Sequence, residues 1–571
     1  MVSIKQSVNH IKTCDVLVVG GATAGCFAAI KAAEKGGKVI LVDKGHVGRS
    51  GCSPFAAGAI NICSPEDNKD LWFEEIVTRG EFLNDQEWVK IQLEEAYDRN
   101  IELNDWGKRY GMKVLEEDQD GKFIRRKGRG NINTLTNVIN ALPMMDTLRR
   151  RVLEVGVELL ERIMMTHLVI QDKRVIGVLG LHCRTGESYL LLAKAVVLAA
   201  GGCGFKGYFI GHRNLTGEAQ YMSLRAGVHM RNLDQAMSNT TSREIDIHGL
   251  SLMVGFGGRF LNADGEEFML RYDPAVGSRA RSTRVVVGMA KEVEAGRGPI
   301  YFDLTQVVPK DQALLRHILP EGFRAFDRLG VNPFEQKIEW IPSFEGTLIH
   351  GGGIHIDTTC ASNIPGLYAA GDTSCTPEHG TGSITGLNLS FCFISGARAG
   401  SYAAEWARQQ HETTLTQDDE KMILSYIEEL TAPSKRNSGI KPDELNYELL
   451  EILIPYRVAY LRDEASLQGA LDNIRELRDK KLPLVFANSI HELVKAFEIR
   501  SMLGIAEAIV ASVLLRKESR GFVFRRDYPL TDNIEWLKWV MVTMEDETLK
   551  VWAKDFPLPY LEAPRKQYPI F

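Results

Sequence analysis

Residues 15–43 contain the pattern that most constrains how this chain folds. DVLVV (15–19) is a short apolar run typical of a buried parallel strand, and the alanine-rich GGATAGCFAAIKAAEKGG that follows has helical periodicity from about Ala24. VILVD supplies a second strand, which ends in Asp43. A βαβ dinucleotide-binding unit has this same order of strand, glycine turn, helix, strand and acid. The sequence therefore predicts an α/β fold with a parallel, Rossmann-like sheet.

The glycine turn of this unit indicates a bound dinucleotide, with one departure from the usual pattern. Glycines allow the backbone to approach a pyrophosphate, the helix N-terminus stabilises its negative charge, and Asp43 is placed to accept hydrogen bonds from a ribose. However, Ala22 stands at the middle glycine of G-x-G-x-x-G. Taken alone, the turn is also compatible with a packed βαβ unit that binds nothing.

Length and composition indicate an ordinary soluble protein of several domains. A chain of 571 residues is too long for one hydrophobic core, so two to four domains are expected. Its net charge of −6 gives no reason to expect nucleic acid binding. The first residues, MVSIKQSVNHIKTCD, have no apolar export region, and the apolar run GIAEAIVASVLL carries Glu507. We expect a cytoplasmic protein without direct membrane insertion.

The nine cysteines form neither a CxxC pattern nor any other metal-ligand spacing. This favours free thiols in a reducing compartment. It also argues against a metal site or an iron–sulfur cluster held by this chain itself.

Three later segments strengthen the nucleotide interpretation. VVLAAGGCG (196–204) and GLYAAGDTS (366–374) each join a buried strand to a glycine turn, and NLTGEAQYMSLRAG (214–227) begins a helix at Thr216-Gly217-Glu218. Together with the first unit, they resemble the flavoproteins with two dinucleotide motifs. This resemblance implies an extended FAD, with its adenosine on the first βαβ unit and its ribityl chain near Asp372.

The segment HVGRSGCSPFAAGAIN (46–61) resembles the loop that follows the acid in the fumarate reductase, succinate dehydrogenase and adenylylsulfate reductase flavoproteins. There it runs beneath the pyrophosphate and along the isoalloxazine, where small residues let backbone N–H groups reach the flavin. The resemblance implies contacts from Arg49 and Ser50 to phosphate and ribityl groups. The residues expected to bind FAD are Gly20, Ala22, Ala24, Gly25, Asp43, Lys44, Arg49, Ser50, Gly51, Gly58, Asn61, Ala200, Gly201, Gly202, Thr216, Glu218, Asp372, Asn388 and Leu389.

The resemblance extends over nearly the whole chain. FLNADGEEFMLRYDP (260–274) and EAGRGPIYFDLT (294–305) are similar to the capping domain that closes over the substrate in that superfamily, and residues 516–540 are similar to its C-terminal helical region. The expected architecture is a Rossmann-like FAD-binding domain with an inserted α+β capping domain and a C-terminal helical region. The boundaries are 1–229 and 346–410 for the FAD-binding domain, 230–345 for the capping domain and 411–571 for the C-terminal region.

Two differences bear on the branch of the superfamily. Gly51 stands where many relatives carry a histidine that binds FAD covalently, so non-covalent FAD is expected. The H-P-T of the dicarboxylate enzymes is missing, and Ser383 stands at the position of their late arginine, which argues against fumarate and succinate as substrates. Arg49-Ser50-Gly51 and Ala59-Ile60-Asn61 are most similar to the adenylylsulfate reductase alpha subunit.

The candidate catalytic residues are Arg284, Arg281 and His350. An arginine at the start of a capping-domain helix faces the flavin in this superfamily, and we prefer Arg284 to Arg281 because apolar residues follow it directly. His350 lies in LIHGGGIHID, roughly where adenylylsulfate reductases carry a histidine. Each of these residues could instead be purely structural, and the basic run RRKGRG (125–130) is interpreted as a solvated loop.

Three functions remain open after this comparison. The first is an adenylylsulfate reductase-like flavoprotein subunit that exchanges electrons with an iron–sulfur partner and acts on a small anionic substrate. The second is a self-contained flavin-dependent C=C reductase or oxidase of a small acid, similar to fumarate reductase or L-aspartate oxidase. The third is an electron-transfer flavoprotein subunit without its own substrate.

Overall fold

The computed structural model describes residues 4–56, 58–128, 131–207, 212–245, 250–382 and 384–571. Its strands, in chain order, are β1 (His10–Val19), β2 (Val39–Asp43), β3 (Ala59–Asn61), β4 (Arg125–Arg126), β5 (Thr136–Val138), β6 (Glu158–Glu161), β7 (Ile163–Gln171), β8 (Arg174–His182), β9 (Ser188–Leu198), β10 (Met230–Arg231), β11 (Met237–Ser242), β12 (Arg259–Leu261), β13 (Tyr301–Asp303), β14 (Ile338–Gly346), β15 (Gly353–Ile354), β16 (Leu367–Ala369), β17 (Leu530–Asp532), β18 (Trp539–Glu545), β19 (Thr548–Lys554) and β20 (Gln567–Pro569). Its α-helices are α1 (Ile4–Ser7), α2 (Thr23–Glu34), α3 (Lys69–Arg79), α4 (Gln86–Arg109), α5 (Ala141–Glu154), α6 (Glu218–Arg225), α7 (Met269–Tyr272), α8 (Ser282–Glu294), α9 (Pro309–Ile318), α10 (Pro320–Arg328), α11 (Leu387–Ala407), α12 (Gln417–Thr431), α13 (Pro442–Leu453), α14 (Tyr456–Ala459), α15 (Glu464–Glu476) and α16 (Ile490–Leu515).

The main sheet has the order β6-β2-β1-β9-β8-β7, and β16 also pairs with β9. Strand β1 is parallel to both neighbours, with Val16 opposite Val39 on β2 and Ala195 on β9. Residues 16–19 of β1 are buried, because helices and other elements cover both faces of the sheet there. The apolar runs that predicted parallel strands are therefore explained, and the predicted Rossmann-like fold is confirmed.

Helices α2 and α11 pack closely because small residues face each other. A Cβ atom on Gly396 would lie 2.3 Å from the Ala24 carbonyl oxygen, and one on Gly400 would lie 2.1 Å from the Ala28 carbonyl oxygen. These distances are far inside van der Waals contact, so larger residues would push the helices apart. The close packing fixes the first half of α2 against the middle of α11.

The inserted capping domain has a sheet of its own, with the antiparallel order β11-β14-β13-β12. Its core includes Phe260, Phe302 and Trp340, whose rings contact one another. Helix α8 packs against β11 and β14 and so brings its first residues toward the main domain. Strand β10 pairs with β15 and β18 instead, outside the capping sheet.

The C-terminal region contains strands as well as the expected helices. After α16, strand β18 joins β10, and β17 pairs with β20. A fully buried ion network directly follows α16. In it, Arg516 donates from Nε to Asp234 (2.5 Å) and from Nη1 to Glu518 (2.6 Å). Because a buried charge is tolerated only when paired, this network ties the C-terminal region to Asp234, which lies between β10 and β11.

Candidate functional site

A cleft with a cavity volume of about 510 Å³ runs along the carboxyl ends of the main-sheet strands. The segments that follow β1, β2, β9 and β16 all contribute to its wall, which is where open α/β sheets bind their ligands. We call it the main cleft. The residues predicted to bind FAD that line it are Gly20, Ala22, Ala24, Asp43, Lys44, Ser50, Gly51, Ala200, Gly201, Glu218, Asp372, Asn388 and Leu389.

The turn after β1 leaves space for a pyrophosphate. Gly20 has a φ of +108°, and a Cβ atom there would lie 2.2 Å from the Ala199 carbonyl oxygen. Helix α2 starts after Ala22, which has no capping side chain, and the Thr23 N–H makes a long contact of 3.4 Å with Ser53 Oγ. The N–H groups at this helix N-terminus are placed to bind an anion. This turn therefore fits a dinucleotide despite Ala22.

The acidic residue at the end of β2 is held rigidly. The Asp43 carboxylate accepts hydrogen bonds from the backbone N–H groups of Gly21 and Gly45, both at 2.7 Å. Burial nevertheless raises the pKa of Asp43, although these hydrogen bonds lower it. The side chain lies in the wall of the main cleft, as a ribose-binding acid requires.

Lys44 organises the neighbouring part of the wall. Its Nζ atom donates to Thr216 Oγ1 (2.8 Å) and contacts carboxylate oxygens of Glu218 (2.8 Å) and Glu498 (2.6 Å). Two carboxylates around one ammonium raise the pKa of Lys44 even though burial opposes this. Thr216 thus supports the wall, whereas Lys44, Glu218 and Glu498 line the cleft.

The loop after β2 differs from its expected arrangement at one residue. Ser50, Gly51 and Cys52 line the main cleft, but Arg49 does not. The Arg49 guanidinium forms an ion pair with Asp146 on α5, and about half of its side chain is exposed. A carboxylate on another helix thus takes the Arg49 guanidinium, and the Arg49 contact with phosphate stays a prediction.

The late acid of the flavin motif, Asp372, also lines the cleft. Asp372 accepts hydrogen bonds from Asn388 Nδ2 (2.8 Å) and from the backbone N–H of Ile349 (3.0 Å). Burial raises the pKa of Asp372, and the two hydrogen bonds oppose the rise. The pair Asp372–Asn388 gives the cleft a fixed polar edge next to Leu389.

Four other predicted FAD-binding residues support the cleft from behind. Gly25 packs against Gly20, since a Cβ atom there would lie 1.7 Å from the Gly20 carbonyl oxygen, and Gly202 packs in the same way on Thr347. Gly58 and Asn61 belong to the β3 segment, where the Asn61 side chain donates to the Leu135 carbonyl at 3.1 Å. These residues shape the wall but do not line it.

One end of the main cleft carries two arginines. Arg281, which directly precedes α8, and Arg79, the last residue of α3, both line the cleft. Burial, together with the nearby charge of Arg281, lowers the pKa of Arg79 to about 10. Two guanidinium groups in one partly enclosed cavity create a positive potential, which suits a small anion.

Arg284, the arginine preferred from the sequence, does not line this cleft. Its Nη1 atom lies 2.6 Å from an Asp273 carboxylate oxygen, and the side chain is about one-third exposed. Arg281 precedes α8 with extended backbone (φ −58°, ψ 149°), so its side chain is not held on the helix face that carries Arg284. The structure therefore places Arg281 toward the cleft and Arg284 toward Asp273, and which of the two acts on the substrate stays a prediction.

His350 lies behind the cleft rather than in its wall. Its ring stacks on Phe522 with centroids 5.2 Å apart, and burial lowers its pKa to about 4. The His379 ring lies 5.1 Å away and does line the cleft. The glycine-rich turn directs Ile349 rather than His350 toward the cleft, and a catalytic role for His350 stays a prediction.

Sequence reasoning missed Arg79 and His379, which converge on the cleft from distant parts of the chain. The HG pair at 379–380, close after GDTS, was the available signal for His379. Ser383, at the position of the late arginine, lies outside the described residues, as do the last two residues of the basic run. Arg125 of that run pairs with Asp67.

The described residues offer neither a membrane span nor a metal cluster. Within that part of the chain, no helix is long and apolar enough to cross a membrane. Nor does any group of three or more His, Cys, Asp or Glu side chains in the same part gather closely enough to hold a metal ion.

The fold and the main cleft define an FAD-dependent oxidoreductase of the dinucleotide-binding class. The FAD binding domain family matches residues 15–389, and the fumarate reductase flavoprotein C-terminal family matches residues 448–567. The chain therefore belongs to the FAD-binding superfamily of fumarate reductase and succinate dehydrogenase flavoproteins, and its cofactor is FAD.

Individual relatives agree with this assignment. The chain is 29% identical over 563 residues to one subunit of the fumarate reductase (CoM/CoB) of Methanothermobacter marburgensis, and the match covers 94% of this chain and 98% of the relative. Its fold is similar to E. coli quinol fumarate reductase (TM-score 0.86, 21% identity, 97% and 99% covered). It is also similar to adenylylsulfate reductase of Archaeoglobus fulgidus (TM-score 0.78, 20% identity, 99% and 98% covered).

Proposed function

We propose that this chain is the flavoprotein subunit of a reductase that transfers electrons between FAD and a small anionic substrate. The observation that carries the proposal is that Arg281 and Arg79 line the same cleft as the FAD-binding segments. When bound, FAD supplies the hydride or electron chemistry. The residues of the chain hold the cofactor, bind the anion and exclude water.

Arg281 is the proposed substrate residue. It lies on the capping domain, and its Nη1 atom donates to the Arg79 carbonyl oxygen at 3.1 Å. Glu81 lies 3.5 Å away and balances part of its charge. In a cleft that excludes water, a fixed guanidinium stabilises negative charge on a substrate more strongly than it does in solution. His379, at the same end of the cleft, is a second polar group for the substrate.

The first candidate substrate class is a small unsaturated acid. The relative from Methanothermobacter marburgensis is named a fumarate reductase and matches 94% of this chain. The name of this relative favours fumarate, whereas the missing H-P-T and Ser383 argue against it. A carboxylate of such an acid fits the pair of cleft arginines.

The second candidate is adenylylsulfate. It is supported by the residues Arg49-Ser50-Gly51 and Ala59-Ile60-Asn61, which are similar to those of adenylylsulfate reductases. Like the unsaturated acid, adenylylsulfate is a small anion that accepts electrons. The same arginine pair would then bind its charged group.

We further propose that a separate iron–sulfur protein exchanges electrons with the flavin. The nine cysteines have no cluster-binding spacing, and the relative from Methanothermobacter marburgensis is named as one subunit of its enzyme. A reductase that receives single electrons from a distant donor needs such a relay. Copurification of an iron–sulfur protein with the chain from its native source would test this arrangement.

Single-turnover oxidation tests the proposed function. The purified flavoprotein is reduced anaerobically and mixed separately with fumarate, crotonate and adenylylsulfate, and the return of the oxidised flavin absorbance is followed. Faster oxidation by fumarate or crotonate than by buffer assigns the unsaturated acid. Oxidation by adenylylsulfate alone assigns the second candidate. No acceleration by any of the three contradicts the proposed function.

A further inference from the structure

Glu378 is a buried carboxyl group that the proposed function does not use. Its side chain is fully buried, and neither carboxyl oxygen has a hydrogen-bond partner among the described residues. A buried carboxyl without a partner is costly, so its presence next to a cleft suggests a role in the chemistry. Its own backbone is fixed, since Asn84 Nδ2 donates to the Glu378 carbonyl at 2.6 Å.

His379, the next residue, connects this carboxyl group to the main cleft. Its ring lines the cleft, and its Nδ1 atom lies 3.2 Å from the Gly382 carbonyl oxygen. Because a carbonyl oxygen only accepts, Nδ1 carries the proton of the neutral ring. The other nitrogen, Nε2, is then an acceptor, and it lies 3.5 Å from Glu378 Oε1.

The charges around the pair favour its neutral form. Burial raises the pKa of Glu378 well above its usual value, Arg231 opposes this rise, and Asp372 adds to it. Burial lowers the pKa of His379 well below its usual value, and His350 lowers it further. Arg231 itself stacks on Trp539 at 4.0 Å, so its charge is partly satisfied elsewhere.

We propose that Glu378 is a proton store that supplies the cleft through His379. This proposal rests on the proposed function, in which the reduced substrate takes up a proton. The ring gives its Nδ1 proton to a substrate that replaces the Gly382 carbonyl oxygen as acceptor, while Nε2 takes the proton of the Glu378 carboxyl group. The ring stays neutral and Glu378 becomes a carboxylate. Afterwards a proton from water enters at Nδ1 while Nε2 returns its proton to Glu378, which restores the starting state. No electrons pass through either residue.

Glu378 acts as a positioning residue, since it reaches the substrate only through His379. General acid catalysis typically contributes 10²–10⁴-fold to a rate. We therefore expect Glu378→Gln to lower kcat for the oxidising substrate by about 10²-fold with little change in KM. His379→Asn should have a similar effect, and the double variant should be no slower than either single one.

Infrared spectroscopy tests the pair without any turnover. Glu345 is a control, because it is also fully buried and does not line the cleft. Burial raises the pKa of Glu345 to about 8. At pH 7 the FAD-loaded protein should show carbonyl-stretch bands from both protonated carboxyl groups. Glu378→Gln and Glu345→Gln should each remove one band.

The decisive comparison is between these bands in wild type and in His379→Asn. The band that Glu378→Gln removes should shift in His379→Asn, whereas the band that Glu345→Gln removes should not. Absence of a Glu378 band at pH 7, or a band that ignores His379→Asn, overturns the proton store. Because these spectra need no substrate, this result stands apart from the single-turnover test. If the bands behave as expected but none of fumarate, crotonate and adenylylsulfate oxidises the reduced flavin, only the proposed function is refuted.

Discussion

Arg281 donates a hydrogen bond from Nη1 to the backbone carbonyl oxygen of Arg79 at 3.1 Å. This contact joins the start of the capping-domain helix α8 to the end of α3 in the main domain. It holds both arginines at one end of the main cleft. The substrate end of the cleft is therefore completed only when the capping domain lies against the main domain.

Gly20→Ala should greatly reduce the FAD content of the purified protein. The added Cβ atom would lie 2.2 Å from the Ala199 carbonyl oxygen, at a φ of +108° that alanine rarely adopts. The backbone would have to move in the turn that holds the pyrophosphate. The ratio of flavin to protein absorbance measures the effect.

Gly36→Ala is the control for this substitution. Gly36 also has a positive φ, +84°, but an added Cβ atom would meet nothing within 4 Å. It should cost about 1 kcal/mol of stability through backbone strain and leave the FAD content unchanged. Equal loss of FAD in both variants would show that strain alone, rather than the approach to Ala199, explains the result.

Denaturing the protein with acid should release all of its FAD. Gly51, which lines the cleft, has no side chain that could form a bond to the flavin. Flavin fluorescence on a denaturing gel measures any cofactor that stays with the polypeptide. A fluorescent protein band would show a covalent link from another residue.

Glu429→Gln should destabilise the protein by about 2 kcal/mol at pH 7. On α12, Glu429 contacts His167 (2.9 Å) and Arg225 (2.9 Å) from the main domain. Burial raises the pKa of Glu429, but these groups and Arg500 outweigh it and lower the pKa to about 2. Urea unfolding followed by circular dichroism measures the difference.

The pH dependence of this difference follows from the lowered pKa. The carboxylate contributes stability above its unfolded pKa of about 4.5, and this contribution is lost as the pH falls toward about 2. Wild type and Glu429→Gln should therefore converge in acid. Asp418→Asn, on the same helix and largely exposed, should change stability by less than about 0.5 kcal/mol. A gap between wild type and Glu429→Gln that stays constant down to pH 3 would contradict the ion-pair explanation.

The fold could be predicted largely from local sequence patterns. The apolar runs at 15–19 and 39–43 are buried strands, and the glycine turn between them leads into α2 as expected. Such features depend on residues close together in the chain. The strands at the C-terminal end were not predicted, although β18 and β19 form a hairpin between neighbouring segments; only the pairing of β18 with β10 joins parts far apart in sequence.

The site could be predicted only where neighbouring residues determine it. Asp43 ends β2, Asp372 lies in the turn just after β16, and both line the cleft. The direction of Arg49 depends instead on Asp146 of a distant helix. Likewise, the choice between Arg281 and Arg284 depends on where α8 begins, which periodicity locates only to within a few residues.

The most direct test of the account compares Arg281→Ala with Arg284→Ala in the single-turnover oxidation, using whichever of fumarate, crotonate and adenylylsulfate oxidises the wild type. Arg281→Ala should be slower by about 10²-fold or more with its FAD content unchanged, because it removes the guanidinium that faces the substrate. Arg284→Ala should stay close to wild type, because it loses only a partly exposed ion pair with Asp273. Slow oxidation in Arg284→Ala together with normal oxidation in Arg281→Ala would contradict the account.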